Sequence, residues 1–320
     1  MKPATVAVAI ITYERKQLLR EALRSVQAQT RRPDVVFISD NSKEPDHEVV
    51  KEFPDLPIHY HFHDRRLTIG EHWVWCLTQP QTDLIALLED DNLFRPRHLE
   101  VLAKAMEEHP EAALAGSSTI VFYDNLKAPL PHSLFCPPWP CDLMDLTPVV
   151  QSAEVGLSTY LFGTPFASSA MIVRRKAFPK QGFVQSWLRI SHDRWMWAQI
   201  AANGSVIFCP ETTMLYRDHA VQVVKNFNRA FHRNDTARCN RLIWDLTLQQ
   251  GYDPVKAVEA LAAQLTPAAR RWYSFLTFRS RTFEIWRKII HVLRPEVSAT
   301  KAAFQAMLDI VMGRLLARWR

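Results

Sequence analysis

The sequence predicts an α/β fold: a mostly parallel sheet flanked by helices, followed by a helical C-terminal extension. Three observations support this. Apolar runs of strand length alternate with helical patterns up to about residue 225, acids or amides follow successive strands, and the later pattern is helical. We therefore expect a large domain over residues 1–225, with halves at 1–122 and 123–225, and a helical extension over 226–320.

The first half contains predicted strands separated by helices. Residues 5–12 are an apolar, β-branched run typical of a strand buried on both faces, and an amphipathic helix follows them. Further strands are predicted at 35–38 and 57–63, and a helix over 70–77 leads to a strand at Leu84–Leu88. Strands joined by helices in this way are typical of a doubly wound parallel sheet.

The second half and the extension add further predicted elements. They are a helix over 98–108, a strand over 113–122, a Pro-rich loop over 124–150, a short strand within 166–178, a helix within 187–204, a strand over 205–220, and helices at 229–250, 253–265 and beyond. Trp195 and Trp197 lie at helical spacing, so we expect them in the core. Trp187 precedes that helix and is the better candidate for stacking on a ligand.

The composition excludes several classes of protein. With 48% hydrophobic and 22% charged residues the chain is typical of a globular protein, and no apolar stretch approaches the roughly 20 residues of a membrane span. No GxGxxG follows the first strand, which argues against a dinucleotide-binding enzyme. Five cysteines without a CxxC pair favour reduced thiols and a cytoplasmic location. A bridge or metal site at Cys136 and Cys141 is the less favoured alternative.

The basic charge of the chain is concentrated in its tail. From Thr266 to Arg320, Lys and Arg outnumber Asp and Glu by 11 to 3, whereas the whole chain carries a net charge of +6. A basic, aromatic, amphipathic helix can lie on an anionic membrane surface at the inner face of the membrane. It can equally be a solvated cap or an oligomer contact. We find no motif that indicates nucleic-acid binding.

A run of acids ends the strand at Leu84–Leu88. Glu89, Asp90 and Asp91 follow it directly. Adjacent carboxylates repel one another, so we expect a cation or a polar ligand between them. Carboxylate oxygens suit Mg²⁺ or Mn²⁺, and open α/β sheets bind ligands beyond the carboxyl ends of their strands. A solvated acidic turn is the alternative interpretation.

Several motifs occur in a defined order along the large domain. They are Thr12-Tyr13-Glu14, Asp40 within Ser39-Asp40-Asn41-Ser42, Asp90-Asp91, Asp193, and Tyr216-Arg217-Asp218-His219. Together they resemble family 2 of the inverting glycosyltransferases, nucleotide-sugar enzymes with a GT-A fold, which is Rossmann-related. The resemblance runs from about Val6 to His219, roughly two-thirds of the chain.

The resemblance implies a role for each matching position. It implies contacts to the nucleotide-sugar by Thr12, Tyr13, Glu14, Asp40, Arg65, Arg66, Asp90 and Arg217, a Mn²⁺ or Mg²⁺ site at Asp91 and His219, and a catalytic base at Asp193. A carboxylate at Asp40 suits a pyrimidine N–H, and Tyr13 can cover a ring face. The implied donor is a UDP- or dTDP-sugar, and the implied acceptor is a saccharide or a lipid-linked saccharide.

Each role has an ordinary structural alternative. Asp40 can form an Asx turn before a helix, and Asp193 can be a plain N-cap. Arg217 and His219 can belong to a surface loop. Arg65 and Arg66 can simply be solvated.

The sequence departs from the family pattern at a few positions. Ile11 stands where Pro is common, Ser39 where a first Asp is common, and His192 where a Glu often precedes the catalytic Asp. None of these changes removes a required carboxylate, so we expect an active, metal-dependent inverting glycosyltransferase, with surface polysaccharide synthesis as the family-level setting. The alternatives are an inactive sugar-nucleotide or glycan-binding module of the same fold and a sugar-1-phosphate nucleotidyltransferase. The latter lacks support because the first loop is neither Gly-rich nor strongly basic.

Overall fold

A computed structural model describes residues 3–123, 131–135, 146–161, 163–184, 188–219, 228–254 and 256–257. Its strands are β1 (Val6–Thr12), β2 (Val35–Asp40), β3 (Ile58–Phe62), β4 (Leu84–Glu89), β5 (Leu93–Phe94), β6 (Ala112–Tyr123), β7 (Pro131–Phe135), β8 (Val149–Gln151), β9 (Met171–Arg174) and β10 (Ser205–Asp218). Its α-helices are α1 (Lys16–Gln27), α2 (His47–Lys51), α3 (Ile69–Thr78), α4 (His98–Glu108), α5 (Ala153–Thr159), α6 (His192–Ala201) and α7 (Arg229–Gln249). Short 3₁₀ helices cover Ser168–Ala170 and Arg175–Ala177.

The strands form one mixed sheet in the order β3-β2-β1-β4-β9-β6-β10-β5, with β7 beside β6 and β8 beside β10. The first four strands are parallel, and β6 is parallel to β10. Strand β9 joins these two parallel sets because it runs antiparallel to both β4 and β6. The carboxyl ends of β1, β2 and β4 therefore meet at one edge of the sheet.

The two faces of the sheet are covered by separate apolar clusters. On β1, Val6, Val8 and Ile10 face the cluster that contains α1 and α4 residues, whereas Ala7, Ala9 and Ile11 face the cluster that contains α3 and α6 residues. Both sets are buried, which explains the unbroken apolar run of this strand. Trp195 and Trp197 are buried in the second of these clusters, as predicted.

The predicted elements of the described part are present, and α4 has the predicted bounds. The sequence analysis did not identify α2, β5, β7, β8 or α5, each of which has no more than seven residues. Such short segments bury too few side chains to show a clear period. Helix α7 packs Cys239 and Ile243 into the core beside α6.

Some predictions lie outside the described residues. They concern Cys136, Cys141, Trp187, most of the Pro-rich loop and the basic tail from Thr266. The division of the chain at residue 225 stays a prediction. Within the part of the chain that is described, no helix combines the length and the apolar character needed to cross a membrane.

Candidate active site

The carboxyl ends of β1 and β4 place the first motif beside the acids. The two strands are in parallel register, with Ile11 opposite Glu89. One residue further on, the Thr12 hydroxyl donates to Asp90 Oδ2 at 2.8 Å, and the Tyr13 backbone N–H donates to the same oxygen at 3.4 Å. Asp90 is thereby held by the end of the first strand, and its side chain is buried.

Asp91 lies at the centre of a group of basic side chains. Its Oδ2 atom accepts hydrogen bonds from Arg15 Nη1 at 2.7 Å and from His219 Nε2 at 3.0 Å. The Arg217 Nε donates to the backbone carbonyl of Asp91 at 2.8 Å, and another nitrogen of Arg217 forms an ion pair with Glu21 at 2.6 Å. Arg217 and His219 are both buried, so the surface-loop alternative is wrong for them.

The acids of this cluster do not ionise alike. Burial raises the pKa of Glu89 to about 8, and the nearby charge of Asp91 adds to this effect. Burial also raises the pKa of Asp90 to about 7, against the opposing charge of Arg15. Burial opposes the charge of Asp91 as well, but the His219 hydrogen bond and the charge of Arg15 outweigh it and lower its pKa. Asp91 is therefore the acid of this group that stays ionised.

Asp40 ends β2 and is completely buried. Its Oδ2 accepts a hydrogen bond from the Tyr60 hydroxyl at 2.5 Å, and its Oδ1 accepts one from the Ser42 backbone N–H at 2.9 Å. The second bond is the Asx turn that was the structural alternative. A carboxylate has further acceptor sites beyond these two bonds, so the turn and a contact to a nucleobase are compatible.

The loop with the two predicted arginines lies beside Tyr13. Arg65 and Arg66 are exposed, and the Arg66 guanidinium stacks over the Tyr13 ring at 4.6 Å from its centre. The Asn41 side chain holds this loop through two bonds: its Nδ2 donates to the Leu67 carbonyl at 3.1 Å, and its Oδ1 accepts from the Leu67 N–H at 2.9 Å. Asn41 thereby links the end of β2 to this loop.

Glu14 stabilises the turn between β1 and α1. Its φ of 55° lies in the left-handed region, which is uncommon for a residue with a side chain. Its N–H donates to Ser42 Oγ at 2.7 Å, and its carboxylate accepts from the Lys43 N–H at 2.8 Å. These bonds fix the strained turn and join it to the segment that follows Asp40.

Asp193 lies in the first turn of α6, whose N-cap position is Ser191, so the N-cap alternative is wrong. Its Oδ2 accepts a hydrogen bond from the Ser168 hydroxyl at 3.0 Å, and that hydroxyl accepts one from Trp197 Nε1 at 3.2 Å. The adjacent Ser169 hydroxyl donates to Glu89 Oε2 at 2.9 Å. Two successive serines thus connect Asp193 with the acidic end of β4.

Asp91 and His219 are suitable ligands for a divalent metal ion. Asp91 supplies an ionised carboxylate and His219 an imidazole, and both ligand types suit Mn²⁺. Among the described residues, no group of three or more His, Cys, Asp or Glu side chains is arranged to hold a metal ion. Ions of this kind commonly take their remaining ligands from substrate phosphates and water. The residues present fit an ion whose coordination the substrate completes.

The structure brings most of the predicted site residues together at the carboxyl edge of the sheet. The sequence analysis missed Arg15, Ser168 and Tyr60. Arg15 directly follows the first motif, at the start of a helical pattern, where a basic residue is ordinary. Ser168 belongs to a run of small residues before β9, and such residues leave room for close approach of other groups.

The chain matches the family model described as glycosyl transferase family 2 over residues 7–181, more than half of its length. It is 28% identical over 119 residues to a glucosyl-dolichyl phosphate glucuronosyltransferase of Haloferax volcanii, covering 36% of this chain and 38% of that protein. It is 30% identical over 110 residues to the uncharacterized glycosyltransferase YwdF of Bacillus subtilis, covering 32% of this chain and 38% of that protein. These matches span well under half of each relative's length.

Among solved structures, residues 1–349 of TarS from S. aureus in complex with UDP-GlcNAc give a TM-score of 0.59 at 15% identity, covering 81% of this chain and 71% of that one. The structure of the same TarS segment without a named ligand gives a TM-score of 0.55 at 15% identity, covering 81% of this chain and 69% of that one. This likeness concerns the fold, and it confirms the predicted GT-A-like class. Because the family model covers more than half of the chain, this protein belongs to glycosyl transferase family 2.

Proposed function

We propose that the protein is a metal-dependent inverting glycosyltransferase that moves one sugar from a UDP- or dTDP-sugar to a hydroxyl acceptor. The observation that carries this proposal is the pairing of an ionised acid, Asp91, with His219 at the carboxyl edge of the sheet. A second acid, Asp193, lies nearby on a separate element. Direct displacement needs these two functions on opposite sides of the reacting carbon.

The donor would bind across the ends of β1, β2 and β4. Thr12 ends β1, and Tyr13 and Glu14 follow it in the turn before α1. Asp40 would accept a hydrogen bond from the pyrimidine N–H. Asp90 would contact the ribose. The exposed guanidinium groups of Arg65 and Arg66, together with the buried Arg217, would contribute positive charge near the diphosphate.

Support for this donor class comes from the comparison with TarS, whose segment 1–349 has structures in complex with UDP-GlcNAc and with UDP. A bound divalent ion, held by Asp91 and His219, would act as a Lewis acid toward the diphosphate. The residues at the ends of β1 and β2 would orient the nucleotide, and the bond from His219 would hold the Asp91 carboxylate in position for the ion.

Asp193 would take the proton of the acceptor hydroxyl. The acceptor oxygen then forms a bond to the anomeric carbon, while the bond from that carbon to the diphosphate oxygen breaks and the diphosphate leaves with the electron pair. The configuration at the carbon inverts because attack and departure occur on opposite faces. The Ser168 hydroxyl donates to one Asp193 oxygen, so it would orient the carboxylate and leave the other oxygen for the acceptor.

The acceptor would approach from the side of α6. Asp193, the residue proposed as the base, lies in the first turn of that helix. The name of the Haloferax volcanii relative includes a lipid-linked sugar, glucosyl-dolichyl phosphate, which is compatible with a saccharide or lipid-linked acceptor here.

Calorimetry of UDP and dTDP, each with and without Mn²⁺, tests the proposal. We expect one nucleotide to bind with metal dependence in the wild type, and Asp91→Ala to remove that dependence. Asp55→Ala, which changes an exposed aspartate before β3, is the matched control and should bind as the wild type does. Binding that is equally strong in EDTA, or unchanged in Asp91→Ala, would contradict the metal role.

A further inference from the structure

Arg15 forms a bridge between the two aspartates at the end of β4. A single guanidinium nitrogen, Nη1, donates to Asp90 Oδ1 at 3.0 Å and to Asp91 Oδ2 at 2.7 Å. The Asp91 oxygen that accepts this bond also accepts one from His219 Nε2 at 3.0 Å. Two donors thus converge on one carboxylate oxygen of Asp91, Oδ2, and a metal ion that bound through this oxygen would have to displace one of them.

The position of Arg15 follows from the strained turn before it. Glu14 has a φ of 55° and is fixed by bonds to Ser42 and Lys43. The next residue, Arg15, is the N-cap of α1, and its side chain reaches both aspartates. The Arg15 side chain is 25% exposed, whereas that of His219 is 4% exposed. Of the two donors on Asp91, Arg15 is the one with room to move.

A guanidinium and a divalent ion cannot both contact the same Asp91 oxygen. A carboxylate oxygen has two lone pairs, and Arg15 and His219 use both. Two cations at this distance would also repel each other strongly at a buried site. Conversely, removal of Arg15 without a replacement would leave the buried aspartates compensated, among the described residues, only by His219 and by the end of β1, which is unfavourable. A metal ion bound through Asp91 Oδ2 would therefore have to replace the charge of Arg15.

We propose that Arg15 is a displaceable internal cation: it neutralises Asp90 and Asp91 in the metal-free enzyme and leaves Asp91 when metal and nucleoside diphosphate bind together. This inference rests on the proposed metal role of Asp91. A diphosphate gives the released guanidinium a new partner, because arginine binds such groups through paired hydrogen bonds. Metal alone offers no such partner. Metal and nucleotide should accordingly bind synergistically, and metal alone should bind weakly.

The test measures Mn²⁺ binding to the whole chain by the loss of the free Mn²⁺ signal in electron paramagnetic resonance. We expect Arg15→Gln to bind Mn²⁺ alone at least about tenfold more tightly than the wild type, because the competing charge is gone. Arg15→Lys keeps the charge and should bind Mn²⁺ as weakly as the wild type. Arg20→Gln is the matched control, because Arg20 lies on α1 and pairs with Glu52, which follows α2. This variant should also behave like the wild type.

Adding UDP distinguishes a failure of the role of Arg15 from a failure of the metal role of Asp91. In the wild type UDP should raise the affinity for Mn²⁺ strongly, and in Arg15→Gln it should raise it less. If both proteins bind Mn²⁺ with UDP but have equal affinities without it, the role of Arg15 is overturned and the metal site stands. If neither binds Mn²⁺ under any condition, the metal role of Asp91 fails and this inference fails with it.

Discussion

The two carboxylates assigned to chemistry, Asp91 and Asp193, have opposite surroundings. Asp91 is buried and its carboxylate accepts hydrogen bonds from two basic side chains, Arg15 and His219. Asp193 is half-buried, and its carboxylate accepts a hydrogen bond from the hydroxyl of Ser168. An acid held by basic side chains is stabilised in its charged form and attracts cations, whereas the hydroxyl that holds Asp193 brings no opposite charge to it.

The difference follows from the elements that carry the two acids. Asp91 follows β4, an interior strand of the sheet between β1 and β9, where the sheet edge gathers polar side chains from several strands. Asp193 lies on a helix packed against the sheet and is linked to that edge through Ser168 and Ser169. We infer a division of labour in which the sheet edge binds the donor and the helix supplies the base.

The largest expected effect tests the helix side of this division. Asp193→Asn should lower turnover by roughly 10²–10⁴-fold, because an amide cannot take the acceptor proton. Release of UDP from a UDP-sugar, with water as the acceptor, measures this turnover. Asp218→Asn, an acid at the end of β10, is a useful comparison because no catalytic role is assigned to it. Wild-type turnover in Asp193→Asn would remove this residue from the reaction.

A second prediction concerns acid stability on the donor side. Burial lowers the pKa of His72 to about 4, and its ring nitrogen lies 3.0 Å from the Ser39 carbonyl at the end of β2. The unfolded chain, with an ordinary His pKa near 6.5, binds this proton earlier, so stability should fall as the pH drops from about 6.5 towards about 4.

Replacing the buried imidazole of His72 tests the direction of this pH dependence of stability. His72→Gln should lose less stability over that pH range than the wild type, by about 3 kcal/mol at most, since no buried imidazole is left to charge. Urea unfolding at a series of pH values measures the difference. His59→Gln, which changes an exposed residue of β3, should leave the pH dependence as it is. Parallel pH profiles of His72→Gln and the wild type would contradict the assignment.

The third prediction tests whether Ser168 orients the Asp193 carboxylate without affecting the donor side. Ser168→Ala removes the hydroxyl that donates to Asp193, and it should lower turnover about tenfold through a less well oriented base. The affinity for UDP should not change. If UDP affinity and turnover fall together, Ser168 supports the donor side, and the proposed separation of the two regions is weaker than described.

The smallest expected effect concerns the arginine loop. Asn41→Ala removes the two hydrogen bonds that hold Leu67, and it should weaken UDP binding about threefold by loosening the loop that carries Arg65 and Arg66. Turnover at saturating donor should stay close to that of the wild type. Calorimetry and steady-state kinetics separate the two quantities. A loss confined to turnover would place this loop in the chemical step.

The sequence could predict the sheet and the acids because each rests on a local pattern. The unbroken apolar run of β1 reports burial on both faces, and the acids follow directly after a strand, where ligands of α/β sheets bind. Short elements such as β5 and α2 depend on contacts made by distant residues. Their local patterns are therefore too weak to predict them.

The contacts within the site were not predictable to the same degree. Arg15 looks like an ordinary residue at a helix start, and only the left-handed turn at Glu14 brings it to the aspartates. Ser168 is separated from Asp193 by 25 positions, and no spacing rule joins them. Asp40 was predicted from its motif, but its bonds to Tyr60 and Ser42 required the packed structure.

The most direct test of the division of labour compares UDP binding by Asp91→Asn and Asp193→Asn, each with and without Mn²⁺, in parallel calorimetric titrations. We predict that Asp193→Asn binds UDP with the metal dependence of the wild type and that Asp91→Asn loses that dependence. The reverse pattern, or an equal loss in both variants, would contradict the assignment of the sheet edge to the donor and of the helix to the base.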